Sequence, residues 1–81
     1  MRTMTRSVTL YSKADCHLCH EVREHLALLE ATDGIDVVEV DITADPELLH
    51  RFRYRIPVVD IGGGVLLEAP ISLARLREAL R

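Results

Sequence analysis

Eighty-one residues leave room for one folded domain, and a chain of this size buries only about 60% of the surface its unfolded form exposes. Hydrophobic residues make up 48% and charged residues 28%, a balance that excludes a disordered tail. Ten basic against thirteen acidic side chains give a formal charge of −3, which argues against nucleic acid as a partner. With Tyr11, Phe52 and Tyr54 as its aromatics and no Trp, the core must rest on Leu, Ile, Val and Ala. No apolar run approaches the ~18–20 residues that span a bilayer. No apolar stretch follows the early charges before Val8, so no signal peptide is expected. The chain is therefore expected to work in a reducing cytoplasm, where two cysteines do not make a permanent structural staple.

Taken in order, Val8 to Ser12 is a run of β-formers and predicts a first strand. Lys13, Ala14 and Asp15 break it. An apolar stripe at Leu18, Val22, Leu26 and Leu29 then predicts a helix with one buried face. Thr32-Asp33-Gly34 should close that helix, Gly34 taking the left-handed turn. Ile35 to Ile42 predicts a second strand, with Val38, Val40 and Ile42 on one side and Glu39 and Asp41 on the other. Asp45-Pro46-Glu47 is a helix start: a capping carboxylate, a proline whose missing N–H costs nothing there, and an acid in the first turn. That helix should turn Leu48, Leu49 and Phe52 inward.

Ile56 to Ile61 predicts a third strand and Val65 to Glu68 its antiparallel return across Gly62-Gly63-Gly64. Ser72 is a good cap for a last helix that buries Leu73, Leu76 and Leu80. The order is β-α-β-α-β-β-α. The first two strands, joined through a helix, should be parallel with a right-handed crossover, and the last two form a hairpin. The expected fold class is α/β, a four-stranded mixed sheet flanked by helices, in one domain over residues 1–81.

The chemistry concentrates at Cys16-His17-Leu18-Cys19, where the first strand meets the first helix. Cys16 falls at the helix start, where unpaired N–H groups and the helix dipole favour an anion. Such surroundings bring a thiol pKa from ~8.5 into the ~3.5–7.5 range and make a nucleophilic thiolate available at neutral pH. Lys13, three residues earlier, adds positive charge to the same place. Cys19, one turn on, is placed to attack a mixed disulfide formed at Cys16.

Val8 to Cys19 resembles the active-site strand and turn of glutaredoxins. Asp45-Pro46-Glu47-Leu48 with Ile56-Pro57-Val58-Val59 is similar to their second helix and cis-proline loop. The resemblance covers about residues 8 to 80 and implies a thioredoxin-like fold. It implies that Pro57 is cis and faces the cysteines, and that the Ile56 backbone receives a bound peptide or glutathione as an added strand does. Two departures stand out. His17 and Leu18 replace the usual Pro and Tyr between the cysteines, and Glu68-Ala69-Pro70-Ile71-Ser72 replaces the Gly-Gly stretch that grips glutathione's glutamyl end, leaving Ser72 as a partial substitute. Dithiol chemistry carries over well, and glutathione specificity does not.

The same residues admit other readings. Cys16 to His20 spells C-x-x-C-H, the haem-attachment pattern, but Met1 and Met4 are the only methionines to serve as a second axial ligand. Zinc would suit Cys16, Cys19, His20 and His17 or His25, yet no distant Cys or His pair completes the set. His17–Glu21 and His20–Glu24 are spaced i,i+4, which makes a solvated polar face the plain account of His20 and His25. His17, between the cysteines, is placed to favour the reduced dithiol and raise the reduction potential. Tyr11 is expected to pack rather than to catalyse. Arg51, Arg53 and Arg55 alternate with Phe52 and Tyr54 and read as a solvated helix end, with Arg53 or Arg55 able to meet a carboxylate of glutathione or of an acidic partner.

The sequence thus points to a thiol–disulfide oxidoreductase with Cys16 and Cys19 catalytic, Lys13 and His17 tuning the thiol, and Ile56, Pro57, Arg55 and Ser72 at the substrate. It is expected to be a monomer with no bound cofactor or metal. Its expected partners are a disulfide-bearing protein or glutathione, the latter as co-substrate, and a thiol reductant system. The alternative is a non-catalytic metal-binding or protein-interaction module on the same fold.

Overall fold

Side-chain caps set the starts of the helices. The computed structural model describes residues 6–81. Met1, Met4 and most of the stretch read above for a signal peptide lie outside those residues. Strand β1 (Ser7–Ser12) leads into helix α1 (His17–Asp33) and strand β2 (Asp36–Asp41). A 3₁₀ turn (Ile42–Ala44) precedes helix α2 (Pro46–Phe52), the hairpin β3 (Val58–Gly62) and β4 (Val65–Glu68), and helix α3 (Leu73–Ala79). Gly34 ends α1 at φ 69°, a backbone angle that costs a residue without a Cβ nothing. Asp45 caps α2 by accepting the Glu47 N–H at 2.9 Å, with Pro46 in the first turn, and Ser72 caps α3 by accepting the Arg75 N–H at 3.0 Å.

The sheet order is β2-β1-β3-β4. β1 pairs with β2 in parallel and with β3 antiparallel, and β3 pairs antiparallel with β4, which is the mixed sheet expected from one crossover and one hairpin. Alternation along the strands gives each face its own core. Val8 and Leu10 of β1, Val59 and Ile61 of β3 and Leu67 of β4 pack with Val22, Leu26 and Leu29 of α1 and Leu76 of α3. Leu73 and Leu80, expected to be buried, are partly so against this cluster. On the other face Ile42, Phe52 and Val58 form a second cluster with Tyr11, Leu48, Leu49, Ile56 and Leu66 around them. Tyr11 stacks on Phe52 with ring centroids 4.7 Å apart, the packing role expected of it.

Three expectations are corrected. The buried stripe of α1 is Cys19, Val22, Leu26 and Leu29, and Leu18 is 52% exposed while Cys19 is 0%. Successive helical residues differ by ~100° around the axis, so a face containing Val22, Leu26 and Leu29 admits one of the two neighbours, and here it admits the cysteine. β2 stops at Asp41 rather than Ile42, because the Asp41 carboxylate accepts both the N–H and the hydroxyl of Thr43, at 2.9 and 2.6 Å, and turns the chain. β3 begins at Val58 rather than Ile56, since Pro57 has no N–H to give the ladder. Val38 and Val40 do share a side, but it is the side covered by the seven-residue α2, and at the sheet edge Val38 stays exposed.

Candidate active site

The turn after β1 delivers Cys16 to the N-cap of α1 in an extended backbone conformation. Its N–H is bonded to the Lys13 carbonyl at 3.3 Å and its carbonyl accepts the His20 N–H at 3.1 Å, so the turn and the first helical bond fix it from both sides. Its Sγ occupies the position that a serine or aspartate oxygen fills in other caps, accepting the Cys19 N–H at 3.1 Å. The two sulfurs lie at bonding distance, 2.18 Å, across a three-residue separation. Cys16 is half-buried and Cys19 fully buried, so an incoming group can reach the first sulfur and not the second.

Lys13 is exposed on the turn. His17 projects into solvent with its Nε2 3.3 Å from Glu21, and His20 lies 3.5 Å from Glu24, the i,i+4 pairs expected from spacing. His25 departs from the solvated face assigned to it: it is half-buried and lines a cleft of about 260 Å³ with Leu18, Glu21, Val22, Pro57, Ala69, Pro70, Ile71 and Ser72. The cleft brings Pro57 and Ser72 beside Leu18, one of the two residues between the cysteines. The Ile56–Pro57 peptide is cis, as the resemblance implied, and Ala69–Pro70 is cis as well. Ile56 itself is half-buried in the second core cluster.

Arg55 does not stand free. Its Nη2 is 2.5 Å from Glu68, its Nε 3.2 Å, and its guanidinium lies over the Phe52 ring at 5.4 Å. Those hydrogen bonds hold the Glu68 carboxyl below the usual carboxylate range and raise Arg55 further, against a smaller opposing effect of desolvation. Arg53 lies over Tyr54 at 4.8 Å and Arg51 over Phe52 at 4.8 Å, which spends the alternating run on local stacking.

Two arrangements escaped the sequence. Ser12, 2% exposed at the end of β1, donates to Glu39 Oε2 at 2.6 Å, and Arg23 of α1 donates from Nε to both Glu39 oxygens at 2.8 and 3.0 Å. The Arg23 hydrogen bonds, more than any other cause, hold the Glu39 carboxyl below its ordinary value; burial opposes them and the Ser12 hydroxyl adds to them. Second, Arg75 Nη1 donates to the carbonyls of Glu68 and Pro70 at 2.7 and 2.6 Å and fastens the β4–α3 loop. Partners twenty-seven and sixteen residues apart in the first arrangement, and seven and five apart in the second, leave no local pattern to read. Among the described residues no three His, Cys, Asp or Glu side chains are grouped to hold a metal, and no helix is long and apolar enough to cross a membrane.

The fold recurs in solved structures. A protein from X. campestris is 37% identical, with a TM-score of 0.76 over 90% of this chain and 93% of its own. Protein Ne2328 from Nitrosomonas europaea is 19% identical with a TM-score of 0.78, covering 100% of this chain and 98% of that one. Thioredoxin 1 from Thermosipho africanus, 13% identical, aligns with a TM-score of 0.67 over 91% of this chain and 93% of its own, and shows the thioredoxin fold. Among curated sequences, uncharacterized protein Rv0508 of Mycobacterium tuberculosis and Mb0520 of Mycobacterium bovis are each 36% identical over 61 residues, 69% of this chain. The match spans 63% of the length of those relatives. The family described as Glutaredoxin-like domain (DUF836) matches residues 7–81. A cysteine pair at disulfide distance on the first helix of a thioredoxin fold, with that match over almost the whole chain, places the protein in the glutaredoxin-like domain family.

Proposed function

We propose that the chain is a dithiol thiol–disulfide oxidoreductase. The observation that carries the reading is the pair of sulfurs itself: one half-exposed at the start of a seventeen-residue helix and accepting a backbone N–H, the other buried and within bonding distance. In the reduced chain the Cys16 thiolate attacks one sulfur of a client disulfide. A Cys16–client bond forms, the client S–S bond breaks, and the first client sulfur leaves as a thiolate. Cys19 then loses its proton and attacks Cys16 Sγ, closing the internal bridge and releasing the second client thiolate. Two electrons pass from the cysteine pair to the client, and a thiol reductant system, glutathione or a reductase-coupled dithiol, returns them. Convergent N–H groups lower the cost of the anion at Cys16, with Lys13 and His17 nearby to add to that effect. Pro57 and the Ile56 backbone position the client. The reading includes a monomer at work in the cytoplasm.

The deciding experiment supplies the purified chain with a small disulfide and either glutathione plus its reductase or thioredoxin reductase, each with NADPH. Turnover with at least one system, absent from Cys16→Ser, is the expected result. Turnover with neither overturns the proposal.

A further inference from the structure

We infer that the cleft beside the cysteines selects protein clients by an apolar side chain next to the client cysteine, with a basic residue beyond it drawn to Glu21. The inference rests on the oxidoreductase reading and narrows it to a substrate class. The cleft opens at Leu18, which with His17 separates the two cysteines in sequence and is more than half exposed although nothing in its own helix requires an apolar residue there. Its walls are Leu18, the buried side of Val22, Pro57, Pro70 and Ile71, which is an apolar lining with a few polar groups at the edge.

Those polar groups are a poor match for glutathione. A γ-glutamyl end carries a carboxylate and an ammonium side by side, and its recognition calls for a cation or free N–H donors facing a carboxylate acceptor. Among the described residues that line the cleft there is no Lys or Arg. The Ser72 oxygen already accepts the Arg75 N–H. The Arg75 guanidinium is turned onto the carbonyls of Glu68 and Pro70, and Arg55 onto the Glu68 carboxylate. The ionisable groups that remain are Glu21 and His25 on α1, and Glu21 lies 3.3 Å from the exposed His17. The lining thus holds a carboxylate and no Lys or Arg, so a carboxylate-bearing ligand meets no permanent cation there.

An extended client segment fits better. Its apolar side chain meets Leu18 and Pro70 over a floor closed by the buried Pro57, and a lysine or arginine one residue further meets Glu21. The wall it meets is fixed in advance, because Arg75 ties the loop from Glu68 to Pro70 and Ser72 caps the helix that follows. Little ordering is left to be done on binding.

The test uses the reduced full chain and symmetrical disulfides of short peptides, so that the sulfur attacked always belongs to the peptide. In three peptides the cysteine is followed by leucine and lysine, by leucine and glutamate, or by serine and glutamate, and oxidised glutathione is the fourth substrate. The leucine–lysine disulfide should react about tenfold faster than the serine–glutamate peptide and oxidised glutathione, the discrimination an apolar pocket of this kind supplies. Leu18→Glu should bring that ratio close to one. Glu21→Lys should exchange the order of the two leucine peptides, by about two- to fivefold for an exposed charge. Equal rates for leucine and serine peptides in the unmodified chain, or an unchanged ratio in folded Leu18→Glu, overturn the inference and leave the oxidoreductase reading standing. Failure to reduce any of the four disulfides overturns that reading and the inference with it.

Discussion

The Cys19 N–H donates to the Cys16 Sγ across 3.1 Å, so the sulfur that the proposal makes the nucleophile also caps the helix. The two roles separate by substitution. In reducing buffer Cys16→Ser keeps an acceptor at the cap and should melt within a few degrees of the unmodified chain. Cys16→Ala should lose about 1 kcal/mol, the usual cost of an uncapped N-terminus. In a domain of this size that is a fall in Tm of about 4–8 °C. Both variants should be inactive in disulfide reduction. Calorimetry beside an activity assay checks the pair, and activity surviving in either variant refutes the assignment of Cys16.

Because Cys19 is wholly buried, it is expected to resolve rather than to initiate. Cys19→Ser should therefore accumulate a covalent adduct between Cys16 and the client. Mass spectrometry under non-reducing conditions reads the adduct directly. An unmodified Cys16 after exposure to excess disulfide contradicts the proposed sequence of attack.

The Arg23–Glu39 pair predicts a pH dependence. The folded-state value of Glu39 lies below its ordinary one, chiefly through the hydrogen bonds from Arg23. Its contribution to stability is therefore complete above the unfolded carboxyl value of about 4.3 and is lost as pH falls through the lower folded value. Glu39→Gln should be less stable by about 1 kcal/mol or less at neutral pH, solvent screening limiting an exposed pair. The gap should close on acidification. Urea melts from pH 7 down to pH 3 measure it, and a gap that widens towards acid would contradict the assigned sign.

Leu18 and Leu26 sit on the same helix and should behave oppositely. Leu26 is fully buried between α1 and the sheet, so Leu26→Ala should cost about 2–5 kcal/mol. Leu18 is exposed, and Leu18→Ser should stay within about 0.5 kcal/mol of the unmodified chain. Thermal melts of the two variants side by side decide the matter.

Gly34 offers a cost without a contact. A Cβ built there would meet nothing within 4 Å, yet φ is 69°. Gly34→Ala should destabilise by about 1–2 kcal/mol through backbone conformation alone. Gly34→Asn, which tolerates that region better, should cost less. Equal melting of the glycine and alanine forms would show that α1 ends some other way.

The sequence was most legible where one residue decides a local conformation. Gly34, Asp45 with Pro46, and Ser72 each mark a helix end by their own chemistry, and the strand order follows from which connections are helical and which is a tight turn. The cysteine pair was legible for the same reason. Leu18 was misread because 18-22-26-29 and 19-22-26-29 satisfy helical periodicity equally, and hydropathy favours leucine over cysteine at a position that only packing settles. The Arg23–Glu39–Ser12 cluster and the Arg75 clamp join distant elements, and no spacing along the chain announces them. His25 reads as polar from its type, yet the β4–α3 loop comes across to enclose it.

β2 closes one side of the sheet with an unpartnered rim, and it carries Asp36, Glu39 and Asp41 within six residues. A second copy approaching antiparallel, strand to strand, would bring Asp36 and Asp41 of the two copies together, while Glu39 stays paired with Arg23. Acidic charge on an outer strand is one of the ways proteins discourage such ribbon growth. The exposed Val38 is thus flanked by charge on the edge that β2 leaves open, which disfavours edge-to-edge pairing there.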